Sequence, residues 1–303
     1  MQAAQTIPDQ PSTAIKTHGG LVDAAGLTDI GRSRETNEDA YLIATLQRSL
    51  MVHDASPVAR GWFAGEAAGT MLVVADGMGG QGGGDVASRV AVNTVSSYLL
   101  NCMPWVTSAA VDDGRGSLPG VRDQLSSALV AGDSTVKSAG VQSGAPHMGT
   151  TLTMALIVWP VLYVAHVGDT RCYLLRAGKL RCLTTDHTMA QQVAEASHQA
   201  LDPTSHLHHI LWNALGATED LPKPEIKRLE LLPGDALVLC SDGLTKHVSD
   251  EEIAGTLAEV STPAACCQRL VARANAEGGT DNVTVVIGRV SGPSNGRETQ
   301  PSA

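Results

Sequence analysis

Met71-Leu72-Val73-Val74-Ala75-Asp76-Gly77-Met78-Gly79-Gly80 is the stretch from which the fold opens up. Its first five residues read as a buried strand, and the run ends directly on Asp-Gly. A strand end delivers a carboxylate to the rim of a sheet, and glycine lets the backbone pass close to an ion or a substrate. A single Asp-Gly is a common turn, but here the theme repeats. The run Ala236–Ser241 leads into Asp242-Gly243, and Asp281-Asn282 precedes the strand-like Val283–Val290. Glu38 and Asp39 close Arg34-Glu35-Thr36-Asn37-Glu38-Asp39, and Asp169 sits in Gly168-Asp169-Thr170-Arg171. Carboxylates so far apart in sequence share a site only if the fold gathers them. Hard divalent cations such as Mg²⁺ and Mn²⁺ are the usual reason to gather carboxylate oxygens.

Further strands surround these motifs. Thr151–Val158 and Val161–Val167 are separated by the turn signal Trp159-Pro160, and Cys172–Leu175 and Leu180–Leu183 flank Ala177-Gly178 as a tight hairpin. Helices fall between them. Asp85–Leu100 follows the Gly-rich loop with Val86, Val90 and Ala91 on one side, and Val121–Ala139 spaces Val121, Leu125, Leu129 and Val136 helically. Ser249 and Glu252 form a capping-box pattern, and Thr262-Pro263 fits the cap and first turn of another helix ending at Gly278-Gly279. The mixture predicts an α+β fold with sheets packed face to face and helices outside. One domain is expected over residues 21–290, with disordered polar extensions at 1–20 and 291–303.

Composition narrows the function. With 43% apolar residues but one Phe, four Tyr and four Trp among 303, the core must be aliphatic. A net charge of −10 argues against nucleic acid and anionic lipid as partners, and against a nuclease. No apolar run reaches membrane-spanning length, and Met1–Gly20 lacks a signal-peptide pattern. The six cysteines show no CxxC spacing and read as reduced thiols; Cys172 and Cys182 flank the hairpin as near neighbours. The chain is expected to be a cytoplasmic monomer.

The motifs Gly31–Ala40, Asp76–Gly80, Gly149-Thr150-Thr151, Gly168–Arg171, Asp186-His187-Thr188, Leu215-Gly216, Ser241–Leu244 and Gly279–Thr284 stand in the order seen in metal-dependent serine/threonine phosphatases of type 2C. The chain resembles the bacterial branch of that family over residues 21–290. The resemblance implies a four-layer α-β-β-α sandwich, two antiparallel sheets flanked by helix pairs, with two Mn²⁺ or Mg²⁺ ions at one end. It implies that Asp76 bridges both ions, that Asp242 and Asp281 hold the first, and that Glu38 and the Gly77 carbonyl hold the second. Asp39 would order waters around them, and Asp169 with Asp242 matches a third, weaker site. The implied substrates are proteins phosphorylated by a serine/threonine kinase. Arg34 is the candidate grip for the phosphate, through its planar fork.

Some positions depart from the family or go beyond it. Some members carry His after Asp-Gly as a proton donor; this chain has Met78, which cannot act as a general acid. Either a metal-ordered water or another His does that job, and His187 is the nearest motif-linked one, with a structural role as its blander reading. The segment from Asp186 to Leu215 aligns with a mobile flap and holds His198, His206, His208 and His209, read mainly as solvated residues. Residues 47–69, with Trp62 and Phe63, read as a long connection that binds a partner or pins itself to the core; 103–120 reads as an irregular insert. Alternatives are a phosphatase of a small metabolite and a non-catalytic scaffold.

Overall fold

The computed structural model describes residues 13–17, 20–52, 61–79, 83–102, 120–199, 201–202 and 205–291. In chain order the strands are β1 (Thr13–Thr17), β2 (Gly20–Asp29), β3 (Asp39–Val52), β4 (Gly61–Met78), β5 (Gly149–Thr150), β6 (Leu152–Val158), β7 (Val161–Val167), β8 (Arg171–Arg176), β9 (Lys179–Cys182), β10 (Glu225–Glu230), β11 (Ala236–Cys240) and β12 (Val283–Ser291). The helices are α1 (Gly84–Cys102), α2 (Val121–Ser143), α3 (Met189–Ser197), α4 (Asp242–Thr245), α5 (Asp250–Glu259) and α6 (Pro263–Ala276).

One sheet runs β1-β2-β12-β11-β8-β9 and the other β10-β7-β6-β4-β3, with β5 paired to β4. The strand pairs are antiparallel. Strands with an apolar residue at every position are explained by cores on both of their faces. Along β4, Met71, Val73 and Ala75 face α1 and α2, while Leu72 and Val74 face the other sheet. Along β12, Val283, Val285 and Ile287 pack under α5 and α6, while Val286 and Val290 enter the space between the sheets. Three aliphatic cores thus separate four layers, and the α+β sandwich follows.

Local chemistry sets the ends of the elements. In α1 the buried stripe is Ala87, Ala91, Val95 and Leu99, four residues apart each time, with Val86 and Val90 partly buried beside it. The helix α2 runs past Ala139 to Ser143 and stops at Gly144, whose φ of 76° is left-handed. Ser249 and Glu252 form the reciprocal capping box, and Thr262 caps α6 with Pro263 in its first turn. The β8–β9 hairpin turns on Ala177 and Gly178, both at positive φ, as a two-residue hairpin of this twist requires.

Two sequence expectations need correction. Residues 47–69 are not a loop: 47–52 and 61–69 extend β3 and β4 into one long hairpin, and Trp62 and Phe63 lie on it. Part of the segment 1–20 is ordered as strand, because Thr13–Thr17 pairs along the free edge of β2; residues 1–12 lie outside the described residues, as do 53–60, 103–119 and 292–303. No helix among the described residues is long and apolar enough to cross a membrane. All six cysteines are free thiols, and Cys182 donates to the Thr184 carbonyl.

Candidate metal centre

The acidic motifs meet at one end of the sandwich, contributed by both sheets and by the β7–β8 connection between them. Asp39 and Asp76 are directly opposite in the β3–β4 ladder. Asp242 opens α4 right after β11, Asp281 lies just before β12, and Asp169 lies between β7 and β8. Together they surround a cleft of about 390 Å³, lined by Glu38, Asp76, Gly77, Asp169, Asp242 and Asp281 and rimmed by Arg34, Lys246 and His209. Asp39 stands behind this lining, opposite Asp76 in the ladder.

Hydrogen bonds between sequence-distant residues fix the carboxylates. The Ser241 and Thr284 hydroxyls both donate to Asp39 Oδ2 at 2.7 Å, while Asp39 Oδ1 is buried without a partner. Asn282 staples two loops: its Oδ1 accepts the Glu38 N–H at 2.8 Å, and its Nδ2 donates to the carbonyls of Ile30 and Thr36. The Asp76 N–H donates to Thr151 Oγ1, and the Asp76 carbonyl accepts from Thr150 Oγ1 and Thr151 N–H. The Glu38 carboxylate meets the backbone of Gly84 at the start of α1, where a helix N-terminus favours negative charge. Glycine is obligatory at position 77, because a Cβ there would lie 2.1 Å from the Gly84 carbonyl oxygen. Gly31 holds φ 81° against the Asp281 backbone.

Crowded anions disfavour one another's charge. Burial, and then the neighbouring Asp39, Asp242, Asp169 and Asp281, push Asp76 well above the usual carboxylate range. Burial raises Asp39 to about 7 and Asp169 to about 8, with Asp242 adding to both. Burial also raises Glu38. Asp281 goes the other way: burial would raise it, but Lys246 and Arg34 outweigh that and hold it low. Arg34 grips Asp281 with Nε at 2.8 Å from Oδ1 and a second bond at 2.9 Å to Oδ2. A dense set of carboxylates with two buried, unpartnered oxygens, Asp39 Oδ1 and Asp242 Oδ1, suits hard divalent cations.

A second cluster lies apart from the cleft lining. His166, His187 and Glu225 offer ligand atoms within 4.8 Å of one another. Their hydrogen bonds describe a structural pillar. His166 contacts Thr153 Oγ1 through Nδ1 and the Thr185 carbonyl through Nε2. His187 Nδ1 accepts from the Gly168 N–H and Asn213 Nδ2, and Glu225 accepts from Thr185. His187, 6% exposed, thereby supports the turn that presents Asp169. In the flap, His206–His209 forms a 3₁₀ turn that brings His209 to the cleft, while His208 meets the Asp202 carbonyl.

Ser241, Thr284 and Asn282 lie inside the sequence motifs, but their hydrogen-bond roles, like the ion pairs of Lys246, emerge only in the fold. The i, i+4 spacing of Lys246 from Asp242 was the one local signal available.

Two facing antiparallel sheets between helix pairs, with an acidic cleft across one end, define a recognisable class. The model of the Protein phosphatase 2C family matches residues 46–278. The chain is 34% identical over 237 residues to serine/threonine protein phosphatase PstP of Mycobacterium tuberculosis, covering 76% of this chain and 42% of that relative. It is 29% identical over 264 residues to protein phosphatase PhpP of Streptococcus pneumoniae, covering 86% and 94%. The solved catalytic domain of PstP, in complex with two manganese ions, superposes with a TM-score of 0.67 at 30% identity, covering 89% of this chain and 98% of that one. This chain belongs to the protein phosphatase 2C family. It spans under half the length of the mycobacterial relative.

Proposed function

We propose that residues 21–290 form a metal-dependent phosphatase that hydrolyses phosphoserine and phosphothreonine in proteins modified by a serine/threonine kinase. The observation that carries this reading is the convergence of Asp76, Asp242, Asp281 and Glu38 on a cleft with unpartnered carboxylate oxygens at Asp39 and Asp242. Asp76, Asp242 and Asp281 would hold one Mn²⁺ or Mg²⁺, and Asp76, Glu38 and the Gly77 carbonyl a second, with Asp169 and Asp242 available to a third. Bound divalent cations supply an activated water and neutralise charge on the phosphoryl oxygens.

The chain's own residues do the rest. Ser241 and Thr284 hold Asp39 Oδ2, which leaves the buried, unpartnered Oδ1 to accept a proton or a water hydrogen. Asn282 keeps the Glu38 and Asp281 loops in register. Arg34, with half of its side chain exposed at the rim, can exchange Asp281 for a phosphate dianion without a change of fork geometry. Met78 lines the cleft but carries no proton to donate. The free thiols fit a reducing compartment, in keeping with a cytoplasmic enzyme.

Phosphate release from a phosphothreonine peptide, measured in EDTA, Mg²⁺ and Mn²⁺, tests this. Release is expected only with a divalent metal and is expected to vanish in Asp242→Ala. Turnover that survives in pure Asp242→Ala protein, or activity confined to small phosphorylated metabolites, would overturn the reading.

A further inference from the structure

A cation already stands among the carboxylates. Lys246 Nζ lies 2.7 Å from Asp242 Oδ2 and 2.9 Å from Asp281 Oδ2. The sequence places it there. Asp242-Gly243-Leu244-Thr245 makes a single helical turn, and Lys246 follows as its cap, so its side chain stacks over Asp242 at i, i+4. With Arg34 on the other side, both Asp281 oxygens are taken by internal cations, while Asp242 Oδ1 stays unpartnered.

We propose that Lys246 is a tethered counter-cation that occupies the divalent position between Asp242 and Asp281 and must swing out when metal binds. This rests on the metal reading of the cleft given above. A monovalent ammonium neutralises part of the clustered carboxylate charge when no divalent ion is bound. The same contact competes with an incoming ion for Asp242 Oδ2 and Asp281 Oδ2. Lysine suits such a placeholder because its four-carbon stem is flexible and its ammonium is a compact point charge. At 27% side-chain exposure, it has open solvent to move into.

Two measurements test this without turnover. Limiting acetic anhydride followed by mass spectrometry reads the reactivity of the Lys246 amine against the other lysines, in EDTA and in saturating Mn²⁺. Lys246 is expected to be protected in EDTA and to become several-fold more reactive with Mn²⁺, while the other lysines hold constant. Calorimetric titration with Mn²⁺ is expected to show about 10-fold tighter binding by Lys246→Gln, as removal of a competing partly buried ion pair implies. Unchanged Lys246 reactivity at Mn²⁺ saturation, or equal or weaker Mn²⁺ affinity in Lys246→Gln, overturns the proposal. If Mn²⁺ binds and displaces Lys246 but no phosphate is released, the phosphatase reading falls and this one stands. A protein that binds no Mn²⁺ refutes both.

Discussion

Replacing Asn282 with Ala removes the staple between the two loops that carry Glu38 and Asp281. Asn282 is 5% exposed and makes three side-chain hydrogen bonds, to the Glu38 N–H, the Ile30 carbonyl and the Thr36 carbonyl. Ile30 is 37% exposed and Thr36 lies at the surface, so water can replace Asn282 at both carbonyls. The Glu38 N–H is less accessible and is left unpaired. Three bonds at about 1 kcal/mol each, one with a desolvation penalty and two rewetted, give a loss of about 2–3 kcal/mol. Urea unfolding in EDTA reads this loss apart from any metal contribution. Asn282→Asp is the sharper variant: it keeps the acceptor for Glu38 but turns the donors into acceptors facing two carbonyls, and it adds a charge beside Asp281. It should be less stable than Asn282→Ala. A loss below about 1 kcal/mol for Ala, or an Asp variant as stable as the wild type, would refute the staple.

Asp76→Asn should abolish phosphopeptide hydrolysis yet raise the metal-free melting temperature by about 2–4 °C, equivalent to about 1 kcal/mol, because it removes a charge disfavoured by burial and by four neighbouring carboxylates; a variant that melts lower than wild type in EDTA contradicts this. His166 titrates at about 4, held below its ordinary 6.5 by burial and then by His187. The unfolded chain therefore takes up a proton that the folded one refuses. The associated stability is full above pH 6.5 and is lost as pH falls toward 4, by about 2 kcal/mol at pH 5. Between pH 7 and 5 the wild type should lose that much more stability than His166→Asn in urea melts, and parallel losses would dismiss the pillar. Gly31→Ala would place a Cβ 2.1 Å from the Asp281 carbonyl oxygen at φ 81°, and it should cost at least about 2 kcal/mol; wild-type stability would mean that the turn relaxes freely.

What the sequence disclosed was local. Asp-Gly after an apolar run, the capping box at Ser249 and the Thr262-Pro263 start each carry their cause within a few residues, and the structure has the corresponding elements. The 47–69 hairpin stayed hidden because Gly61, Ala64, Gly65, Ala67, Ala68 and Gly69 are poor strand formers; pairing across the hairpin overrides their propensity. β1 was masked by polar neighbours in the same way, and needs only the free edge of β2. The partners of Asp39 and Glu38 were illegible for another reason. Ser241, Thr284 and Asn282 are more than 200 residues away in sequence, and a hydroxyl or an amide carries no local mark of the carboxylate or N–H it will meet.

The two bonds from Ser241 and Thr284 to Asp39 join one sheet to the other. The aliphatic layer between the sheets is non-directional and could tolerate slippage that a 2.7 Å hydrogen bond could not. A slide of one residue, about 3.4 Å, would leave Val and Leu still in contact but would part Asp39 from both hydroxyls and Asp76 from Asp242. The cleft therefore works as a vernier for the whole sandwich: it reads the alignment of the two sheets to a fraction of an ångström. Substitutions deep between the sheets, far from any carboxylate, should register first as lost chemistry and only later as lost stability.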